Sequence, residues 1–533
     1  MVINMKIIQH LVTVLKNEIN SPLLRFTLLF TLCIGFATYG FGYYNLGFSH
    51  DSLSPSLQGQ GEFQLTIGRP FTSYIFGLFE YYNNKPIMGL ISLLFIALSV
   101  YTTVNIFSKI LCFDEKSKKY LTIAVSLLYT LNVAFIALNA TYSFQICSDT
   151  LALLCSVYAV YFVCDTTNIK KICFSVVLCT ISICLYQAYI DVFLTLFIIV
   201  LIIKLARGNS VQSVIKTGLI YFCITLLASV MYLGIWKLLM FLNGVNTPQI
   251  YNNPENVGFS SFGEIAYYLI KSLKHLKDSL IRINSFNITI KVLFNIICMI
   301  TLLFAAIRTV NIVKGIIGKL LVAVLCVLFV LCLNIANIVS KDVYHNLMTF
   351  SFCLVNVLAF VALLKSNKEC LIKIFMVWLA VISFHCCNFY NTISMMKVLE
   401  LNATYSHFSR ILQRIESLEN FSSKNDIIVI EPFYKSEYLN NYTNSIFLNH
   451  KVLVGCKDLV AGNYNSDLFA SYFNLGLKTI NLSDESVLSS LKLSKEQIEE
   501  INKMSPYPDV RSVKRVGKYI FVKTSTEKYY QQK

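Results

Sequence analysis

The chain has 533 residues, of which 56% are hydrophobic and only 14% charged, and its mean hydropathy is +0.61. A soluble protein of this length could not solvate so much apolar surface, which excludes a soluble globular fold for most of the chain. The net charge of +16 lacks a basic patch with interleaved aromatics, so nucleic acid is not expected as a partner. Residues 1–20 place Ile3, Ile7, Ile8, Leu11, Val14 and Leu15 on one helical face, with Lys6, His10, Thr13 and Lys16 opposite. That pattern predicts an amphipathic helix lying at the membrane interface.

Eleven apolar stretches follow, at 23–47, 86–110, 120–138, 147–165, 173–187, 189–204, 217–242, 288–306, 318–338, 346–364 and 374–397. About 20 apolar residues cross a bilayer core, and unbroken apolar runs select helix over strand. The pair 173–187 and 189–204 is short enough for a re-entrant hairpin. Basic residues sit on alternate connectors: Lys116, Lys118 and Lys119; Lys170 and Lys171; Lys204, Arg207 and Lys216; Arg308, Lys314 and Lys319; Lys365, Lys368 and Lys373. The opposite short connectors carry almost none except Lys341. The positive-inside rule then predicts a cytoplasmic N-terminus and, from an odd count, an extracytoplasmic C-terminus. The expected architecture is mainly α, a polytopic transmembrane helical bundle over 21–397 with outer loops at 48–85 and 243–287, and a small extracytoplasmic α/β domain at 398–533.

Three outer pieces carry the polar residues. In 48–85, the recurrence of Phe71, Tyr74, Ile75, Leu78, Phe79 and Tyr82 after Pro70 predicts a helix on the outer membrane surface. In 243–287, a turn-rich start leads into a basic helical stretch at 262–284. The tail shows strand-like runs at 425–432, 477–482 and 517–524, and a helix at 494–504. Most of the 17 cysteines lie inside the apolar stretches, where they act as small hydrophobes, and the tail has only Cys456. No disulfide framework or zinc spacing is present.

The middles of the spans hold almost no ionisable groups, which weighs against an ion-coupled transporter. Phosphate-loop, zinc-protease and hydrolase-elbow motifs are absent. Chemistry therefore falls to the outer-face residues. Asp51, just past the first span, suits a general base for a hydroxyl, or a helix-ending cap. Arg69 opens a Gly-Arg-Pro step. A cation there runs against the positive-inside trend and suits a phosphate, with a lipid headgroup, Glu62 or Glu80 as the alternative partner. Lys341 and His345 on another short outer loop could add charge near a phosphate or serve as interfacial anchors. Tyr186 and Gln187, at the tip between two spans, could hold a sugar or belong to the aromatic belt. Asp149 reads first as a cap for the helix that follows.

The acidic residue after the first span, the outer Gly68-Arg69-Pro70 step, the Tyr186-Gln187 pair and the segment MSPYPDVRSVKRVGKYIFVK together resemble the serotype-converting O-antigen glucosyltransferases of bacteria and their phages. The resemblance runs from residue 40 to the end, and it rests on the order of the motifs. It implies a GT-C-like enzyme of the bacterial inner membrane, with a periplasmic tail. Its donor would be a hexose, usually glucose, on undecaprenyl phosphate, and its acceptor a lipid-linked O-antigen repeat. By position Asp51 would be the acidic catalytic residue, the base that removes the acceptor proton, and Arg69, with Lys341 and His345, would bind the donor phosphate. His50, Asp149, Tyr186 and Gln187 would contact sugar or acceptor. The family often carries two adjacent acidic residues where this chain has His50-Asp51. No cofactor is called for, and a divalent metal would lack a clear second acidic ligand near Asp51. The competing readings are an O-antigen polymerase and a non-enzymatic lipid-linked-sugar flippase or transporter.

Overall fold

The computed structural model describes residues 20–45, 57–79, 84–245, 261–283, 288–341, 345–432, 436, 476–482 and 485–529. The predicted interfacial helix at 1–20, apart from residue 20, and the His50-Asp51 pair lie outside them. The chain forms two compact units: residues 1–40, 59–139 and 143–390, and residues 41–58, 140–142 and 391–533.

The first unit is a helical bundle. Its helices are α1 (Pro22–Tyr44, its last four residues in the second unit), α2 (Leu57–Thr66), α3 (Thr72–Gly77), α4 (Lys85–Leu111), α5 (Glu115–Thr130), α6 (Val133–Thr141), α7 (Ile146–Val163), α8 (Ile169–Leu185), α9 (Ile190–Ala206), α10 (Val211–Leu242), α11 (Phe262–Ile281), α12 (Thr289–Ile312), α13 (Ile316–Cys332), α14 (Ile335–Val339) and α15 (Cys353–Ser366). The long α16 (Glu369–Glu416) gives its first part to this unit and its end to the other. Among the described residues, eight helices are long and apolar enough to cross a membrane, or nine if α5 and α6 count as one bent span. The predicted stretches at 173–187 and 318–338 fall on the 17-residue helices α8 and α13.

Local chemistry sets the helix starts. Asp114, Asn168 and Ser210 each turn a side-chain oxygen onto a backbone N–H of the first turn of α5, α8 and α10, satisfying donors that a helix leaves open. The predicted single span at 120–138 is instead broken, with a 41° bend between α5 and α6. Asn132 is the cause: its Oδ1 accepts from Ala134 N at 2.8 Å, starting a new helix, and its Nδ2 donates to Phe350 O at 3.0 Å. At the centre, α7 and α8 touch through small polar residues. Ser156 and Ser182 Oγ lie 2.7 Å apart, and Ser175 Oγ donates to Ala159 O at 2.9 Å. Such residues let helix backbones approach closely in an apolar medium.

In the 71–82 region the described residues give the six-residue helix α3, with Thr72 and Phe76 buried and Tyr74 and Leu78 exposed at 59% and 76%. Phe71 N donates to Cys184 O at 3.2 Å and Thr72 Oγ1 to Leu185 O at 2.7 Å, while the Phe76 ring meets Phe144 at 5.7 Å. The carbonyls ending α8 thus anchor the start of this segment.

The second unit is built on a four-stranded sheet of β1 (Ile427–Ile430), β2 (Lys478–Asn481), β3 (Val513–Val516) and β4 (Tyr519–Val522). The strand order is β2-β1-β4-β3, with β1 parallel to β2 and β4, and β3 antiparallel to β4. Ile428 and Ile430 point to one face, against Phe408, Ile411 and Ile415 of α16. Val429 and Phe521 point to the other, against α17 (Glu485–Ser490) and α18 (Lys495–Asn502). Both sheet faces are covered, as a parallel sheet requires. The end of α16 is one of the covering layers, so this helix runs without a break through residue 398. A capping box at Ser494 and Gln497 starts α18 where the sequence predicted a helix.

Candidate functional site

The site grows from the end of α2. Gly68 takes φ +80°, the left-handed conformation that glycine enters without steric cost. Gly68 N donates to Leu65 O at 3.1 Å and Arg69 N to Gln64 O at 2.8 Å, the paired bonds of a Schellman helix end. Pro70 follows and prevents the helix from resuming. The Gly-Arg-Pro step is thus a helix stop that sets the arginine immediately past the turn.

Three side chains from elsewhere in the bundle fix the turn. Trp236 Nε1 donates to Leu65 O at 2.8 Å and Tyr232 OH to Gly68 O at 2.9 Å, both from α10. Gln187 Nε2 reaches Ile67 O at 2.9 Å, Gly68 O at 2.7 Å and Tyr232 OH at 3.2 Å. Buried carbonyls need such partners, so one amide, one phenol and one indole together define where Arg69 begins.

Arg69 is half-buried. Its Nη1 donates to Gln145 Oε1 at 3.1 Å and to Gln64 Oε1 at 3.3 Å. Its guanidinium carbon lies 4.4 Å from the centre of the Tyr186 ring, in cation–π range. Its Nε is buried and has no hydrogen-bond partner among the described residues. Among the described residues Arg69 forms no ion pair; Glu62 does not meet it, and Glu80 lies outside the described residues. Among the described residues, Asp149 is the carboxyl group that interacts electrostatically with it.

Asp149 sits in the first turn of α7, one turn after Gln145, and is buried. The cap position of α7 is Gln145, whose side chain makes no capping bond, so Asp149 is not the cap the sequence suggested. Among the described residues its side chain accepts no hydrogen bond. The ring of Tyr189 meets Tyr186 at 5.9 Å edge to face. The cluster therefore holds Arg69, Gln64, Gln145, Asp149, Tyr186, Gln187 and Tyr189, with Tyr232 and Trp236 behind it.

Of the sequence-predicted residues, Arg69, Asp149, Tyr186 and Gln187 come together. Lys341 instead pairs with Glu264 at 2.9 Å, and His345 Nδ1 accepts from Leu347 N at 3.2 Å, capping the 3-10 turn at 346–352. That turn reaches the site's wall through Phe350, whose ring lies 5.9 Å from Tyr189. Asp51 and His50 lie outside the described residues. Sequence reasoning missed Gln64, Gln145, Tyr189, Tyr232 and Trp236. Tyr232 and Trp236 were the findable ones: they stand one helical turn apart in an apolar helix, where an indole N–H and a phenol each need a buried partner.

Chemically, the cluster offers a positive group held by neutral amides and a ring face, with a buried carboxylate nearby and hydrogen-bonding amides around both. Such a site can receive an anion at the guanidinium and hydroxyl groups at the carboxylate and amides. Among the described residues no group of three or more possible metal ligands is assembled. Residues 40–356, more than half of the chain, match the family model described as glucosyl transferase GtrII. No match is found among curated proteins or among solved structures. Every residue of the cluster lies inside the matched stretch.

Proposed function

The chain belongs to the glucosyl transferase GtrII family, and from that premise we propose that it transfers glucose from a polyprenyl-phosphate sugar to a lipid-linked O-antigen repeat at the outer face of the bacterial inner membrane. The observation that carries the donor assignment is Arg69: a half-buried guanidinium held by Gln64, Gln145 and Tyr186, with no carboxylate in contact among the described residues. A cation placed so is matched to the phosphate that leaves when the bond from sugar C1 to phosphate oxygen breaks. Asp51 takes the proton from the acceptor hydroxyl as its oxygen bonds to C1. Asp149 and Gln187 supply acceptors for hydroxyls of the bound sugar or acceptor, and Tyr186 supplies an aromatic face. The apolar span surfaces keep the lipid tail in the bilayer while the reacting end stays at the interface. The eleven-span topology, with residues 398–533 outside, belongs to the same reading.

The test is the structure of the cell-surface polysaccharide with and without this gene. An added glucose branch, present with the gene and lost on its deletion, is the expected result. A longer but unbranched polymer would favour a polymerase, and unchanged branching would end the proposal. A purified full-length protein that moves glucose from a polyprenyl phosphate but not from a nucleotide sugar would fix the donor class.

A further inference from the structure

Away from the Arg69 cluster, the bundle contains a groove of about 580 Å³ between α9, α11, α12, α13 and α15, within the size range of sites for small organic ligands. Its wall is nearly all aliphatic and aromatic: Leu276, Leu302, Phe329 and Val355 are typical. One end is formed where helices finish. Leu111 ends α4, Ala206 ends α9, Ile312 ends α12, and Lys365 stands in the last turn of α15. At that end the lining includes Arg308 and Lys365, both exposed.

The groove has a one-sided charge. Among the described residues its lining holds three cations, Lys277, Arg308 and Lys365, and no carboxylate. Neither Arg308 nor Lys365 forms an ion pair or side-chain hydrogen bond among the described residues. The outer face of α12 beside it remains apolar and exposed, with Leu303 and Phe304 at 60% and 66%, so the groove opens toward whatever surrounds the bundle. An apolar channel with unpaired cations at one end suits an amphiphile with an anionic head. Basic pockets between membrane helices hold lipid headgroups in this way.

We propose that this groove is a binding site for an anionic glycerophospholipid, with one acyl chain between α11, α12 and α15 and the phosphate between Arg308 and Lys365. The Lys/Arg-rich connectors belong to the same end of the bundle as Arg308 and Lys365, so the lipid comes from the leaflet that those connectors face. The site is separate from the Arg69 cluster and would hold whether or not the glucosyl donor is a polyprenyl phosphate.

Native mass spectrometry of the full-length protein, released from nanodiscs of mixed phosphatidylglycerol and phosphatidylcholine, tests it. The expected result is retention of phosphatidylglycerol in clear preference to phosphatidylcholine. Each basic group near an anionic lipid contributes a factor of about five, so Arg308→Gln with Lys365→Gln should weaken retention about 30-fold. Arg308→Lys should retain most of it. Ala306→Trp keeps both charges but fills the channel, and it should also expel the lipid. If the double Gln variant fails to fold, Ala306→Trp decides alone. Equal retention of the two lipids, or unchanged retention in Ala306→Trp, would overturn the site. Displacement of phosphatidylglycerol by an equimolar polyprenyl phosphate would overturn the choice of occupant.

Discussion

Arg69→Lys separates charge from geometry at the proposed donor site. In the native arrangement Nη1 has two amide acceptors, at 3.1 and 3.3 Å, and the guanidinium lies 4.4 Å from the Tyr186 centroid. Hydrogen bonds involving a charged group are worth roughly 1.5–3 kcal/mol, and a desolvated cation–π contact about 2 kcal/mol. A lysine keeps the charge but cannot hold both amides, the ring face and a bidentate phosphate together. We expect a net loss of about 2–4 kcal/mol, or about 30- to 1,000-fold in donor affinity. Thermal stability should change little, because Gln187, Tyr232 and Trp236 hold the turn through its backbone carbonyls. The assay is initial-rate transfer by purified full-length protein in nanodiscs, varying a polyprenyl-phosphate glucose donor. A large rise in KM with a smaller change in kcat is expected. A wild-type KM in a normally folded Arg69→Lys protein would refute the phosphate role.

Asp51→Asn keeps the shape of the proposed base and removes its proton acceptor, so transfer should fall by roughly 10²–10⁴-fold while donor binding persists; normal surface glycosylation in that strain would remove the base from the mechanism. Tyr232→Phe loses the bond to Gly68 O and the acceptor for Gln187, about 1–3 kcal/mol in all, and should be non-additive with Gln187→Leu in a thermal-unfolding cycle. Reporter fusions after residue 400 should be active only as periplasmic reporters; a working cytoplasmic reporter there would sink the topology. His407, in the second unit, is lowered from 6.5 to about 4 by burial and by Arg410. Because the unfolded chain binds that proton more readily, stability should be lost as pH falls from about 6.5 to about 4, by about 3 kcal/mol at most, and the loss should flatten in His407→Gln.

The long apolar helices were legible because each needs only an unbroken apolar run, and among the described residues eight of them, or nine with the bent pair α5 and α6, are long and apolar enough to cross a membrane. What breaks or shortens an element was not legible, because the cause is a distant partner. Asn132 bends its helix by bonding Phe350 O, 218 residues away. The start of α3 is anchored by Cys184 and Leu185, whose carbonyls accept from Phe71 N and Thr72 Oγ1. In the tail, β1, β2, β4 and α18 follow their local patterns. β3 (VKRV) hides because two charges occupy its middle, and it pairs with β4 across a two-residue turn at Gly517. Of the site, Arg69 and the Tyr186-Gln187 pair stood out by type and place. The amides Gln64 and Gln145 did not, since a glutamine near a span end looks the same whether it meets solvent or a guanidinium.

The same contrast explains why the cluster suits transfer better than simple structural support. A guanidinium that only stabilised the fold would be expected against a carboxylate, because leaving a charge poorly compensated away from water is costly. Here Asp149 is near enough for its charge to be felt but is not in contact, and the Nη1 acceptors are neutral amides. One donor, Nε, has no partner among the described residues. The cost is tolerated because the turn is over-determined by Gln187, Tyr232 and Trp236, none of which touches the charge itself. An arrangement held rigidly in an electrostatically incomplete state gains most from an arriving anion, and gains it when negative charge grows on a leaving phosphate. On this argument Gln145→Glu, which supplies the missing counter-charge in place, should stabilise the empty protein and weaken the donor. A variant that raised both stability and donor affinity would contradict it.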